Sequence, residues 1–197
     1  DDTQLVYAAR PERGLENLVR PGGILSRLPE FTLHVSMYDN VPEHMQQFYG
    51  QLFHWASLLP NVKVHGYLTQ YQLRELLDAS GGYVYPTDFE ETSCILAQEA
   101  LERNCIFMTT RKGALPETLG EFGVFLNSDA EVGSDDWCEH FALMVRGTMG
   151  LASHARTSIG ANWAARYWGD AANDVERLFY AKNEDGSEKR NDFSLLW

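Results

Sequence analysis

Short apolar runs rich in β-branched and aromatic residues alternate along the chain with segments whose apolar residues recur at helical spacing. The alternation occurs six times, and the apolar runs are too hydrophobic for strands that keep one face in water. This pattern predicts an α/β fold, a doubly wound parallel sheet of about six strands with helices on both faces. The predicted strands are residues 4–8, 32–37, 62–65, 83–85, 105–108 and 124–126.

Several helix boundaries are marked by local signals. Thr69 and Gln72 have the spacing of a capping box at a helix start, and the glycines at 81–82 end that helix. A Pro-Gly-Gly run at 21–23 interrupts the first helical segment, which we therefore expect to form two pieces. The predicted helices are 14–28, 43–57, 69–80, 92–103 and 115–119, followed by the C-terminal helices 135–148 and 152–182.

The chain shows no repeat or low-complexity segment that would divide it. We expect residues 1–182 to form one domain and residues 183–197 to form a polar tail with an apolar end. Because the chain opens almost directly on a strand of buried character, we also expect it to be one half of a larger protein.

The charge of the chain narrows the classes of partner. Acidic residues outnumber basic ones by 28 to 16, so the formal net charge is −12. Such a chain does not attract a polyanion by bulk charge, and nucleic acid is not expected as a partner. Any anionic ligand needs a locally basic site. Residues 88–139 contribute 12 acidic and 3 basic side chains, which places most of the negative charge in one region.

Cysteine and histidine spacing offers no metal chemistry. Cys94, Cys105 and Cys138 cannot all pair, which favours a reducing compartment, and the six histidines lack metal-ligand spacing. No apolar run approaches the ~20 residues of a membrane span. We therefore expect a cytoplasmic protein without a bound metal, and peripheral membrane association of the full protein stays open.

The loop after the first predicted strand carries two arginines. Arg10 and Arg13 lie three residues apart at a strand end that leads into a helix. Two such guanidiniums can grip the two phosphates of a diphosphate. The competing interpretation is that both are solvated and paired with Glu12 and Glu16, and the residues alone leave the choice open.

The loop after the fourth predicted strand carries two carboxylates, Glu91 and Glu99, eight residues apart. A partly buried carboxylate requires hydrogen-bond donors, and vicinal ribose hydroxyls are suitable ones. Backbone N–H groups at 92–95 offer donors to sugar hydroxyls or phosphate oxygens. The competing interpretation makes Glu91 a carboxylate that offsets the helix dipole and Glu99 a solvated residue on a helix face.

Together these loops resemble the nucleotide-sugar-binding half of a known enzyme family. Glu91 and Glu99 match its E-x7-E motif, and Arg10 with Arg13 before Gly14 matches its basic pair before a glycine. Further matches, in the same order, are 62–67, 85–87, 112–117 and 167–170. The resemblance is to the Rossmann-like C-terminal domain of retaining GT-B glycosyltransferases, glycosyltransferase family 4-like (glycosyl transferases group 1), which include relatives of sucrose and glycogen synthases.

The resemblance implies catalytic positions for three residues. Arg10 and Arg13 would hold the donor diphosphate, and Glu91 would lie beside the transferred sugar. The donor would be a UDP- or GDP-linked sugar, with no cofactor and no metal. One departure is that Arg13 lies closer to Arg10 in the sequence than the second basic residue does in the family.

Donor-binding positions follow from the same resemblance. Glu99 would bind the ribose hydroxyls, while Gly66 and Tyr67 would line the nucleobase pocket, chiefly through the backbone near residue 66. The residues that would touch the sugar hydroxyls through their backbone are Thr92, Ser93, Cys94 and Ile95. The family usually has Gly-Phe-Gly where this chain has Thr-Ser-Cys at 92–94, which leaves the identity of the sugar open.

The implied function is transfer of a hexose, with retention, to a hydroxyl acceptor on a glycan, lipid or polysaccharide. The acceptor would bind through an N-terminal Rossmann-like domain outside this chain, so the chain alone is expected to transfer little. The alternative is a non-catalytic, glycosyltransferase-like regulatory or scaffolding module, which the Thr-Ser-Cys departure favours. A nucleotide-sugar isomerase of the same fold is a weaker alternative, since no acid/base pair stands out.

Overall fold

The computed structural model of the chain describes residues 1–37, 40–151 and 162–163. The chain divides into two compact units, Asp1–Gly160 and Ala161–Trp197, and the first of these contains the sheet. The predicted tail 183–197 and most of the predicted helix 152–182 lie outside the described residues, as does the boundary at 182. None of the described helices is long and apolar enough to cross a membrane.

All six predicted strands are present, and no strand limit differs from the predicted one by more than one residue. They pair in parallel in the order β3-β2-β1-β4-β5-β6, so the predicted Rossmann-like α/β fold is confirmed. The strands are β1 (Gln4–Tyr7), β2 (Thr32–Ser36), β3 (Val62–Gly66), β4 (Gly82–Tyr85), β5 (Ile106–Thr109) and β6 (Gly123–Phe125).

The helices also follow the prediction, with one correction. The first segment forms two pieces, because the chain turns at 21–23, where Gly22 has a φ of +71°. A short 3-10 turn precedes the second helix, over Glu43–Met45. The helices are α1 (Leu15–Val19), α2 (Gln46–Leu58), α3 (Gln70–Ala79), α4 (Ile95–Glu102), α5 (Leu115–Leu119) and α6 (Asp135–Leu151).

The correction concerns the start of α4, because the predicted start at residue 92 is wrong. The helix begins at Ile95 with Cys94 as its N-cap. The segment before it is held by contacts outside the helix, because the Glu91 carbonyl accepts the Ala114 N–H at 2.7 Å. Residues 92–94 therefore belong to a loop that is fastened to the neighbouring β5–α5 loop.

The strand order decides where a ligand site can form. β1 lies between β2 and β4, so the chain winds outward in opposite directions from this point. In open parallel sheets, ligands bind outside the carboxyl ends of the strands at such a switch point. The Tyr83 hydroxyl on β4 accepts the Ala8 N–H at 2.8 Å, and this hydrogen bond joins the end of β1 to β4.

The capping box at the start of α3 is present as predicted. The Thr69 hydroxyl accepts the Gln72 N–H at 3.3 Å, and the Thr69 N–H donates to the Gln72 side chain at 3.0 Å. Thr69→Ala removes the acceptor for an otherwise unpaired N–H and is expected to lower the free energy of unfolding by about 1 kcal/mol. Urea denaturation checks this, and Thr69→Asn, which preserves the cap, should unfold near the wild-type midpoint.

Candidate functional site

Two adjoining cavities open at the carboxyl ends of β1 and β4. Their volumes are about 340 Å³ and about 320 Å³, and Ala8, Ile95 and Leu96 line both. The larger, here called the Glu99 cavity, is also lined by Ser36, Met37, Tyr67, Leu68, Gln70, Leu73 and Glu99. The smaller, here called the Arg10 cavity, is also lined by Ala9, Arg10, Arg13, Tyr83, Tyr85, Glu91, Ser93 and Cys94.

The Glu99 cavity has a carboxylate on one wall and an aromatic ring on another. Glu99 is half-buried in the second turn of α4, and its carboxylate accepts a hydrogen bond from the Gln70 side chain at the start of α3. Tyr67 is 53% exposed. The Gly66 carbonyl accepts the Met37 N–H at 3.0 Å and the Ser36 hydroxyl at 3.1 Å, which holds the β3–α3 turn against the end of β2.

A buried carboxylate forms the floor of the Arg10 cavity. The Glu91 side chain is 6% exposed, and one oxygen accepts from Arg13 Nη1 at 3.0 Å and from the Tyr85 hydroxyl at 2.5 Å. Burial, followed by the hydrogen bond to Glu91, raises the pKa of Tyr85, so this phenol is a proton donor at neutral pH. The interpretation that made Glu91 a helix-dipole residue is wrong, because α4 begins only at Ile95. Both donors to Glu91 come from other elements: Arg13 follows β1, and Tyr85 ends β4.

Arg13 is committed to this cluster. Its guanidinium carbon lies 3.9 Å from the centre of the Phe89 ring, and its side chain is 29% exposed. Burial is the largest single influence on the pKa of Arg13 and lowers it, but the charges and hydrogen bonds of Glu91 and Tyr85 together outweigh burial, so the pKa is raised. The competing interpretation, in which both arginines are solvated and paired with Glu12 and Glu16, therefore does not hold for Arg13, whose partner is Glu91.

Arg10 is the more available guanidinium of the two. Its side chain is 58% exposed, and Nη1 lies 3.9 Å from Glu12 Oε1, beyond hydrogen-bonding distance. The other Glu12 oxygen accepts the hydroxyl of Tyr49, a buried residue of α2. The pairing of Arg10 with Glu12 that the competing interpretation describes is thus present only as a long contact.

The loop before α4 supplies the remaining lining residues. Ser93, Cys94 and Ile95 line the Arg10 cavity, whereas Thr92 is exposed and lines neither cavity. Burial raises the pKa of the Cys94 thiol to about 11, so the group is a neutral thiol at physiological pH. Two small polar or weakly polar side chains therefore stand at this end of the cavity.

Two glycines allow the loops around the Arg10 cavity to approach each other closely. Gly14 has a φ of +116°, and a Cβ there would lie 2.5 Å from the Pro86 carbonyl oxygen. Gly113 has a φ of +52°, and a Cβ there would lie 2.2 Å from the Glu91 carbonyl oxygen. The β4–α4 loop is therefore gripped from both sides at positions where only glycine fits.

Eight of the ten predicted site residues line the two cavities, while Gly66 and Thr92 line neither. Sequence reasoning missed Gln70, Tyr83 and Tyr85. The strand sequence Gly-Tyr-Val-Tyr at 82–85 held a usable signal, because a phenol in a buried strand needs a hydrogen-bond partner. In the described part of the chain, no group of three or more His, Cys, Asp or Glu residues could hold a metal ion.

No protein-family model and no curated protein matches the sequence, but solved structures share its fold. Anabaena Alr3699/HepE, solved with UDP and glucose, matches 89% of this chain and 48% of its own at 15% identity, TM-score 0.68. Pneumococcal O-GlcNAc transferase GtfA, solved with UDP and GlcNAc, matches 88% of this chain and 36% of its own at 14% identity, TM-score 0.62.

A third match has nearly the same extent as this chain. The C-terminal domain of LpcC, a glycosyl transferase group 1 family protein from Francisella tularensis, matches 84% of this chain and 85% of its own at 15% identity, TM-score 0.63. By contrast, the chain spans about half or less of the length of HepE and GtfA. The six-stranded parallel sheet with its surrounding helices is therefore a glycosyltransferase-like fold.

Proposed function

We propose that this chain is the donor-binding domain of a retaining, family 4-like GT-B glycosyltransferase. It would bind a UDP- or GDP-linked hexose and transfer the hexose to a hydroxyl acceptor on a glycan, lipid or polysaccharide. The observation that carries the proposal is the joining of the two cavities at the switch point, one holding Glu99 and the other Arg10, Arg13 and Glu91. Solved proteins of the same fold carry UDP and sugars.

The donor would lie across both cavities. Its base and ribose would occupy the Glu99 cavity, where the carboxylate of Glu99 accepts ribose hydroxyls and Tyr67 flanks the base. Its diphosphate would reach the Arg10 cavity, and the sugar would extend toward Glu91 and the loop at 92–95. The shared wall of Ala8, Ile95 and Leu96 supports this arrangement, because it leaves the two cavities side by side.

Arg10 would make the main contribution to catalysis. As the bond from the sugar to the diphosphate breaks, negative charge grows on the diphosphate, and a guanidinium placed there stabilises the transition state without a metal. Arg13 would act beside it, but its pairing with Glu91 neutralises much of its charge. The free oxygen of the Glu91 carboxylate would orient a hydroxyl of the transferred sugar.

The acceptor would be supplied by a second, N-terminal Rossmann-like domain of a longer cytoplasmic protein, with a membrane surface as one site of action. The greater length of HepE and GtfA supports this part of the proposal. This chain alone would then bind donor but transfer little.

Arg10→Ala is expected to weaken UDP or GDP binding at least about tenfold, the loss of a charge-assisted contact to phosphate. Isothermal titration of the chain with UDP, GDP and ADP measures this directly. Arg103→Ala is the matched control, because Arg103 pairs with Asp78 and lines neither cavity, and it should bind as the wild type does. Absence of binding by all three nucleotides, or equal binding by Arg10→Ala, would contradict the proposed donor site.

The side chains of Ser93 and Cys94 in the Arg10 cavity favour a second candidate, a non-catalytic module that keeps the nucleotide site. The two candidates differ in how they treat the sugar. A donor site should bind UDP-glucose or GDP-mannose at least as tightly as the parent nucleotide. A module whose sugar end is blocked should bind the nucleotide and reject the nucleotide sugar.

A further inference from the structure

The carboxylate of Glu12 lies near Arg10 but does not form a hydrogen bond to it. We infer that Tyr49 holds the Glu12 carboxylate away from Arg10 and thereby keeps this guanidinium available to the donor phosphates. Tyr49 is then a positioning residue for phosphate binding, outside both cavities. The inference rests on the proposed function, since it assigns a purpose to the availability of Arg10.

The two oxygens of Glu12 have different tasks. Oε2 accepts the hydroxyl of Tyr49, while Oε1 faces Arg10 Nη1 across 3.9 Å. A hydrogen-bonded guanidinium–carboxylate pair would need a separation of no more than about 3.2 Å. The carboxylate is therefore anchored on its far side, and its near oxygen does not complete a bond to Arg10.

The other arginine of the cavity provides a contrast. Glu91 also accepts a tyrosine hydroxyl, from Tyr85, but the same Glu91 oxygen bonds Arg13 at 3.0 Å. Tyr85 and Arg13 thus donate to the same Glu91 oxygen, and Arg13 is held in an ion pair. At Glu12 the tyrosine binds the opposite oxygen, and Arg10 stays 58% exposed.

Tyr49 is built to act as a fixed donor. It lies on α2 with 5% exposure, and its only rotatable polar atom is directed at Glu12. Burial, followed by the hydrogen bond to Glu12, raises the pKa of Tyr49, so the phenol keeps its proton at neutral pH. Without this donor, Glu12 gains the freedom to close on Arg10, and an incoming phosphate has to displace a competing carboxylate.

The test compares wild type, Tyr49→Phe, Glu12→Gln and the double variant by calorimetry with UDP and with uridine, or with GDP and guanosine if GDP is the nucleotide bound. Tyr49→Phe is expected to weaken diphosphate binding about three- to tenfold and to leave nucleoside binding unchanged. The double variant should bind the diphosphate as Glu12→Gln does, because a neutral amide no longer competes for Arg10. Unchanged UDP binding, equal losses for UDP and uridine, or no rescue in the double variant would overturn the inference.

A ligand-free measurement separates this inference from the proposed function. Modification of Arg10 by phenylglyoxal, followed by mass spectrometry of peptides, should slow in Tyr49→Phe and recover in the double variant, with Arg103 as the internal reference. An unchanged rate at Arg10 overturns the restraint by Tyr49. Absence of nucleotide binding by the wild type, together with the expected Arg10 rates, overturns the donor site and leaves the restraint standing.

Discussion

Glu91→Ala is expected to lower the free energy of unfolding by about 2–3 kcal/mol. The side chain is 6% exposed and accepts from two groups, so its removal leaves the buried Tyr85 hydroxyl without an acceptor and Arg13 without its anion. The cost stays below that of a fully buried ion pair because Arg13 retains contact with water and with Phe89. Urea denaturation at neutral pH measures the change.

Two further variants make this prediction specific. Glu91→Gln keeps one carbonyl oxygen for the same donors and should fall between wild type and Glu91→Ala. Glu90→Gln is the matched neighbour, because Glu90 is exposed and its contact to the Gly113 N–H survives as an amide oxygen. It should change stability by no more than about 0.5 kcal/mol. A Glu91→Ala protein as stable as Glu90→Gln would contradict the role of Glu91 as the centre of the cluster.

Gly113→Ala is expected to cost about 3 kcal/mol or more and to disturb nucleotide binding in any protein that still folds. A Cβ at this position would lie 2.2 Å from the Glu91 carbonyl oxygen and 2.4 Å from the Glu91 nitrogen. These are backbone atoms, so no side-chain rotation relieves the overlap. The β4–α4 loop must move, and with it the carboxylate that holds Arg13.

Gly22→Ala is the control for backbone conformation alone. Gly22 also has a positive φ, +71°, but a Cβ there meets only the Asp135 side chain at 3.9 Å. This variant should lose about 1 kcal/mol, the ordinary cost of an alanine in the left-handed region. Thermal and urea unfolding of both variants measure the loss of stability. Equal losses for Gly113→Ala and Gly22→Ala would show that the contact with Glu91 is unimportant.

Much of the fold was predictable because its signals are local. The alternation of apolar runs and helical segments located all six strands, and the Thr69–Gln72 spacing located the start of α3. The predicted start of α4 was wrong because the contact that sets the true start comes from a residue distant in the sequence. The loop before it is held by Ala114, a residue in a different part of the sequence, and no propensity at 92–94 reports that contact.

The sequence indicated which residues gather at this edge of the sheet, but it did not indicate which of them form ion pairs. Residues at the ends of parallel strands meet at one edge of the sheet, so most of the predicted residues line the cavities. The competing interpretation sought the partners of both arginines nearby in sequence, at Glu12 and Glu16, whereas Arg13 pairs with Glu91, 78 positions away. That pairing follows from the position of β1 beside β4.

The sequence by itself determined the α/β class, the positions of the strand-end loops and the basic and acidic residues on them, because hydrophobic periodicity and capping are properties of neighbouring residues. Only the tertiary structure decided which charges are engaged. The order of the strands carries Arg13 to a buried carboxylate and leaves Arg10 exposed beside a restrained one. Burial and close approach depend on contacts between distant segments, so they emerge only when the sheet has formed.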